Sequence, residues 1–218
     1  MDYIVIPAYN EAKNIGRVLE NTLKFVFPQQ IVVVDDGSKD DTSQQAKQHG
    51  VIVLRHNVNL GKGAALKTGC DYVMTKNATR IVAMDADGQH DPQEIKPLLN
   101  LLDNYDIIFG RRTITKTMPF VFRFGNNFIS GLLRFFYGIK VDDSQCGYRS
   151  FRASVYPKIR WTVADYFMET EMIVNAGKAK LTHTQHPIET IYGDLYKGTT
   201  VMDGVKIVLK MIAWRVFR

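Results

Sequence analysis

"RIVAMDADGQHDPQEIKPLLNLLDN", residues 80–104, carries three signals in succession. The opening run is short, apolar and β-branched, as in a strand buried on both faces of a parallel sheet. It breaks into "DADGQHD", where two aspartates stand one residue apart and a third follows a Gln and a His. A helix then begins, with Asp91 suited to the N-cap and Pro92 to the first turn. The runs "YIVIP", "IVVVDD", "VIVLRH" and "DIIFG" have the same strand character. "EAKNIGRVLENTLKFV", "DTSQQAKQHG" and "GAALKTGCDYVMTK" supply helices between them. Alternation of this kind predicts an α/β fold, a mostly parallel sheet flanked by helices.

With 16 Asp in 218 residues, one Asp-x-Asp is expected by chance, so the spacing alone carries no chemistry. Position does. Parallel strands all end at one edge of the sheet, and ligands sit in the crevice outside it. The five strand exits read "PAYNE", "DDGSKDD", "NVNLGKG", "DADGQHD" and "GRR", all rich in polar, Gly or charged groups. A donor set of Asp and Gln without Cys suits Mg²⁺ or Mn²⁺, and Mg²⁺ is usually held by one or two carboxylates plus substrate phosphates. A nucleoside diphosphate is the natural second half of such a site, with the metal neutralising charge on the leaving diphosphate. Asp35 and Asp36 lie far in sequence from positive groups, so they read as acceptors for a base or ribose rather than as ion-pair members.

The chain is long enough for one domain with a substantial core plus a C-terminal appendage. Cys70 and Cys146 have no C-x-x-C spacing, which points to core packing in a reducing cytosol rather than a disulfide framework or zinc site. A strand begins almost at the first residue, leaving no room for a signal peptide, and no uncharged run reaches membrane-spanning length. Net charge is +6, but residues 1–110 carry −3 and residues 111–218 carry +9, so an anionic partner is expected at the second half. Zinc-finger, helix-turn-helix and RNP patterns are lacking, which argues against nucleic acid.

The motifs "IPAYNEAKNI", "VVVDDGSKDDT", "NLGKGAALKTG", "MDADGQHDP", "FGRR", "DSQCGYRSFR" and "METEM" stand in an order and spacing that resemble family 2 glycosyltransferases of the GT-A fold. The likeness is strongest to the dolichyl-phosphate mannose synthase branch, which loads sugars onto polyprenyl phosphates, and it runs from Ile6 to about Asp203. The resemblance implies that Asp85, Asp87 and Gln89 hold Mg²⁺ or Mn²⁺. It implies that Pro7, Tyr9, Glu11 and Asp36 contact the nucleotide, with Lys62 of "NLGKG" in the same donor-binding group. Arg112 would meet the acceptor phosphate, joined by Arg123, and Glu171 would lie near the donor sugar. Asp87, Arg112, Arg123 and Glu171 are then the catalytic candidates. The family's Ser-Lys pair after a late strand is replaced here by Lys197 and Gly198.

A lipid monophosphate is already anionic at neutral pH, its second pKa being about 6, so it needs no catalytic base. It needs a cationic cradle, for which Arg111, Arg112, Arg123 and Arg149 are the candidates; the alternative is that they pair with Asp142, Asp143 or Asp165. Residues 119–137 are rich in Phe, and positions 121, 124, 128, 132 and 135 form an apolar stripe at helical spacing; core packing would explain the stripe, but its aromatic richness with flanking arginines points to an amphipathic helix lying in a membrane interface. The segment 201–218 reads as a second amphipathic helix, appended to a GT-A domain of residues 1–200. The partners expected are a nucleotide diphosphate sugar, a polyprenyl phosphate and the cytoplasmic membrane face. His183 and His186 would face opposite sides of a strand and hold no metal together; His90 is either a supporting residue of the acidic loop or simply exposed. "GKGAAL" is a weak match to a dinucleotide loop. A rival enzyme reading is transfer to a sugar hydroxyl, with Glu171 or Asp143 as general base. The rival of another class is a catalytically inactive lipid-binding or scaffolding protein.

Overall fold

The computed structural model describes residues 1–113 and 120–189, the backbone alone over 120–127, together with Lys206, Val208 and Leu209. Five strands and four helices alternate through the first half: β1 (Asp2–Ala8), α1 (Ile15–Thr22), β2 (Ile31–Asp35), α2 (Thr42–Gln48), β3 (Ile52–Arg55), α3 (Lys62–Thr75), β4 (Arg80–Ala83), α4 (Ile95–Leu101) and β5 (Ile107–Arg112). There follow α5 (Phe120–Tyr137), β6 (Arg149–Arg152), α6 (Tyr156–Ile159), α7 (Met168–Lys178) and β7 (His183–Ile188). The seven strands form one sheet in the order β3-β2-β1-β4-β6-β5-β7. All pairings are parallel except those of β6, which runs antiparallel between β4 and β5. The expectation of a mostly parallel α/β sheet holds.

Strand periodicity divides the core. On one face lie Tyr3 and Val5 of β1, Val32 and Val34 of β2, and Ile81 and Ala83 of β4, under α3, α5 and α7. Their neighbours Ile4, Ile6, Ile31, Val33 and Val82 point to the other face and pack with Ile15, Val18 and Leu19 of α1 and with Ile95, Leu98 and Leu99 of α4. Such side chains contribute roughly 1.5–3 kcal/mol each on full burial. α1 buries Ile15, Val18, Leu19 and Thr22, the i, i+3, i+4, i+7 stripe of an amphipathic helix. Gly69 lets α3 press onto the sheet, since a Cβ there would lie 2.3 Å from Val5 Cγ1. Asp91 caps the turn before α4 as expected, its Oδ1 accepting from the Gln93 N–H at 2.9 Å. Of the segment 201–218 only three residues are described, with Val208 packed against the core and Leu209 exposed.

β6 explains how a distant motif reaches the ligand edge. Because it runs against its neighbours, its first residue lies where theirs end. The "DSQCGY" that precedes Arg149 is thereby delivered beside the acidic loop that follows β4.

Candidate active site

The acidic loop is built on a buried histidine. The Asp85 N–H donates to His90 Nδ1 at 3.1 Å, and the imidazole stacks on Tyr148 with ring centroids 4.7 Å apart. Burial lowers the His90 pKa to about 4, so the ring is neutral and its Nδ1 serves as acceptor. Of the two possibilities left by the sequence, His90 is the support of the loop. Asp87 Oδ1 accepts from the Gln89 N–H at 3.0 Å. Burial, the neighbouring Asp85 carboxylate and, more weakly, Glu11 raise the pKa of Asp87. Like charges gathered this way are what a cation relieves.

Lys62, at the start of α3, reaches Asp85 Oδ1 at 2.7 Å and Glu169 Oε1 at 3.0 Å. Burial alone would lower the pKa of this ammonium, but the two carboxylates override it and raise it, so it is charged at any ordinary pH. Gly147, from the loop before β6, abuts the same carboxylate: a Cβ there would fall 2.6 Å from Asp85 Oδ2. Arg112, at the end of β5, is gripped in a fork by Asp143, with Nε to Oδ2 at 2.7 Å and Nη2 to Oδ1 at 2.9 Å. Its charge lowers the pKa of Asp85, behind the larger influence of burial, which acts the other way, and of Lys62. Asp85, Asp87, Glu11, Lys62 and Arg112 therefore share one rim.

Other expected site residues have different duties. Asp36 Oδ1 accepts from the Leu60 N–H at 2.9 Å and Oδ2 from the Gly61 N–H at 2.7 Å, while His56 Nδ1 lies 2.7 Å from Oδ1. Asp35 accepts from Ser38 N–H at 2.8 Å and from the Ser43 hydroxyl, with Arg55 Nε at 3.6 Å. The reading of these two acids as distant from positive groups is corrected: β3 runs parallel to β2, so its last residue, Arg55, stands beside Asp35, and the next residue, His56, meets Asp36. Glu11, nearly buried, takes Asn14 Nδ2 on Oε2 at 2.7 Å, and its N–H donates to Thr42 Oγ1 at 2.9 Å. Pro7 is buried within β1 and Tyr9 is exposed just beyond it.

Arg149 is removed from the phosphate cradle. It is 1% exposed, and its guanidinium donates to the carbonyls of Cys146 (2.8 Å), Glu169 (2.6 Å) and Ser144 (2.8 Å). Its charge thus ties the loop carrying Asp143 and Gly147 to the start of α7. Arg111 pairs with Asp142 at 3.3 Å on the surface. The side chain of Arg123, and all of Lys197, lie outside the described residues.

Glu171 is 1% exposed and binds backbone: Oε2 accepts the N–H groups of Thr162 and Val163 at 2.9 and 3.1 Å, and Oε1 the Thr162 hydroxyl at 2.8 Å. It shapes the 162–166 loop that covers the start of α3, where Gly61 and Gly63 would drive any Cβ to within 2.4 and 2.7 Å of Ala164 O and Val163 O. The glycines of "GKGAAL" thus serve this backbone approach. The acid sequence reading missed is Glu169, two residues earlier in "METEM", which meets Lys62. His183 and His186 do diverge, one beside the Phe109 ring and the other 2.6 Å from Glu94.

Among the described residues no three His, Cys, Asp or Glu side chains form a ready metal cage. A pair of oxygen donors awaiting phosphate is the Mg²⁺ or Mn²⁺ pattern, so Asp85 and Asp87 fit such an ion. A mostly parallel sheet with an acidic pair and a lysine at its carboxyl edge is the arrangement expected of a GT-A fold. The chain is similar to glucosyl-3-phosphoglycerate synthase from Mycobacterium tuberculosis in complex with Mn²⁺, uridine-diphosphate and phosphoglyceric acid. The TM-score is 0.78 over 100% of this chain and 79% of that one, at 16% identity. Residues 3–160 match the model described as Glycosyl transferase family 2, and the chain belongs to that family. It is 40% identical to an uncharacterized protein of Methanocaldococcus jannaschii, over 99% of this chain and 92% of the relative. It is 34% identical to the UDP-N-acetylglucosamine–dolichyl-phosphate N-acetylglucosaminyltransferase of Methanococcus voltae, over 96% of this chain and 94% of the relative.

Proposed function

We propose that this glycosyltransferase moves a hexose, mannose or glucose in the first instance, from a nucleoside diphosphate sugar to a polyprenyl phosphate, with inversion at the anomeric carbon. One observation carries the reading: Asp85, Asp87, Lys62 and Arg112 share one rim, while the two acids that the sequence offered as general bases are otherwise engaged. Glu171 is committed to Thr162 and Val163, and Asp143 to Arg112. A hydroxyl acceptor needs such a base; a phosphate monoester does not. The dolichyl-phosphate acceptor in the name of the M. voltae relative supports the same choice.

In this reading an acceptor phosphate oxygen attacks the anomeric carbon, the bond from that carbon to the diphosphate breaks, and the diphosphate leaves with the electron pair. Asp85, Asp87 and Gln89 would hold Mg²⁺ or Mn²⁺, which would supply charge neutralisation to the leaving group. Lys62 adds its own charge there. Arg112, its plane fixed by Asp143, orients the acceptor phosphate, with Arg123 beside it. Pro7, Tyr9 and Glu11 border the nucleotide, and Asp36 contributes through the 60–61 turn that it holds. The acceptor's lipid tail makes the cytoplasmic membrane face the working surface. No helix among the described residues is long and apolar enough to span a bilayer, which fits peripheral attachment.

Transfer to a short-chain polyprenyl phosphate, screened with GDP- and UDP-sugars including UDP-N-acetylglucosamine in Mn²⁺, tests the proposal. Asp87→Ala is expected to lose about a hundredfold or more in rate. Near wild-type turnover by that variant refutes the metal role; inhibition by sugar alcohols rather than phosphate esters moves the acceptor to a hydroxyl.

A further inference from the structure

Lys62 stands between two carboxylates that are not equivalent. Asp85 belongs to the Asp-x-Asp loop. Glu169 does not, and only its Oε1 is engaged by Lys62; its Oε2 is fully buried with no hydrogen-bond partner among the described residues. A buried acceptor without a donor is costly, and native structures keep few of them. An ammonium offers three rotatable donors on a flexible stem. Movement of Lys62 off Asp85 would bring one of them to Oε2 while the ion pair with Glu169 persists.

Building on the metal reading above, we propose that Lys62 and the divalent ion compete for the Asp85 carboxylate, and that Glu169 is the positioning residue that receives Lys62 when the ion takes Asp85. An ion about 2.1 Å from the carboxylate oxygen that Lys62 holds at 2.7 Å would stand less than about 5 Å from the ammonium. The Lys62 and Glu169 side chains have little solvent around them, so the repulsion is weakly screened. One cation yields, and Lys62 is the one with a second seat. The donor diphosphate then provides anions for both, so ion and nucleotide each tighten the other's binding.

The test is Mn²⁺ binding to the nucleotide-free full chain, read from the electron paramagnetic resonance signal of free Mn²⁺. Lys62→Met is expected to bind Mn²⁺ about tenfold more tightly than wild type, the scale on which one neighbouring charge shifts an ionic equilibrium. Glu169→Gln leaves Lys62 with Asp85 as its sole carboxylate and is expected to bind several-fold more weakly; in the Lys62→Met background the same change costs much less. Unchanged or weakened binding in Lys62→Met, or additive effects in the pair, overturns the competition. Should Lys62→Met not fold, Glu169→Gln alone decides, since unchanged or tighter binding contradicts its role as a seat. Mn²⁺ binding lost in Asp87→Ala but indifferent to Lys62 sinks the competition alone. Binding that survives Asp87→Ala sinks the metal reading with it.

Discussion

Gly147 has no side chain to contribute, yet it fixes where a carboxylate can stand. A methyl at this position would lie 2.6 Å from Asp85 Oδ2 and 2.9 Å from Oδ1. Asp85 has little freedom to withdraw, because Lys62 holds its carboxylate and His90 its backbone N–H. Overpacking of this kind costs about 1–3 kcal/mol. If the strain falls on the reacting geometry, kcat/KM for Gly147→Ala drops about 10- to 100-fold, with more Mn²⁺ needed for half-maximal rate. Gly131→Ala is the control: among the described residues nothing lies within 4 Å of a Cβ there, and both parameters should stay at wild-type values. Equal losses in the two variants would remove Gly147 from the site. The glycine is plain in the sequence; its reason is not, since the carboxylate it abuts is 62 positions away. Glu169 and Glu171 show the same limit. Two residues apart on a helix, they are rotated roughly 200° and serve different neighbours, but "METEM" does not say which acid faces the lysine. Likewise Arg112 and Arg149 read alike as cations until one proves to be buried among carbonyls.

The strand runs were legible because each is β-branched and bounded by polar turns, and β1 to β5 lie where that pattern places them. The reversal of β6 was not, since its four residues, "RSFR", carry no mark of direction. Its orientation is set by pairing with β4 and β5. Contacts between elements follow the same rule, and the one between α3 and α6 with the residue that follows it can be tested. Asp71 of α3 accepts from Tyr156 Oη at 2.8 Å and from Arg160 at 3.1 and 2.6 Å, anchoring the chain just before Trp161, whose Nε1–H donates to Gly63 O at 2.8 Å. Partial burial pushes the Asp71 pKa up, but the donors from Arg160 and Tyr156 outweigh it and leave it lowered. A carboxylate with a lowered folded pKa stabilises the fold above its unfolded pKa, and that contribution is lost as pH falls through the folded value. Asp71→Asn should therefore be less stable than wild type at neutral pH, by about 1 kcal/mol or less because both partners are nearly half exposed. The gap should close on acidification below the ordinary carboxylate range. Urea unfolding across pH measures it, and a gap that ignores pH would mean that the ion pair is not its source.

Charge and apolar surface coincide in the second half of the chain. Residues 111–218 hold the +9 excess, and within them α5 turns Ile129, Leu133 and Tyr137 to the core while Phe128 and Phe135 stay 50% and 81% exposed. The stripe read from the sequence is thus divided: where its side chains are described, positions 128 and 135 face outward and Leu132 is partly buried against the core. Arg134, on the same helix, is exposed as well, and so is Lys206 further along the chain. An aromatic edge beside cations is the combination that holds a helix in the headgroup region, and each basic side chain adds about 1 kcal/mol near an anionic leaflet. Co-sedimentation should therefore be strong with vesicles containing phosphatidylglycerol, weak with phosphatidylcholine alone, and should decline as salt shortens the Debye length. Phe135→Ser should reduce vesicle partitioning several-fold through its lost apolar area while leaving transfer to a water-soluble short-chain acceptor intact. Equal binding to both lipids, or a Phe135→Ser variant that sediments like wild type, would mean that this face meets something other than a bilayer, and the lipid acceptor would have to approach from another side of the fold.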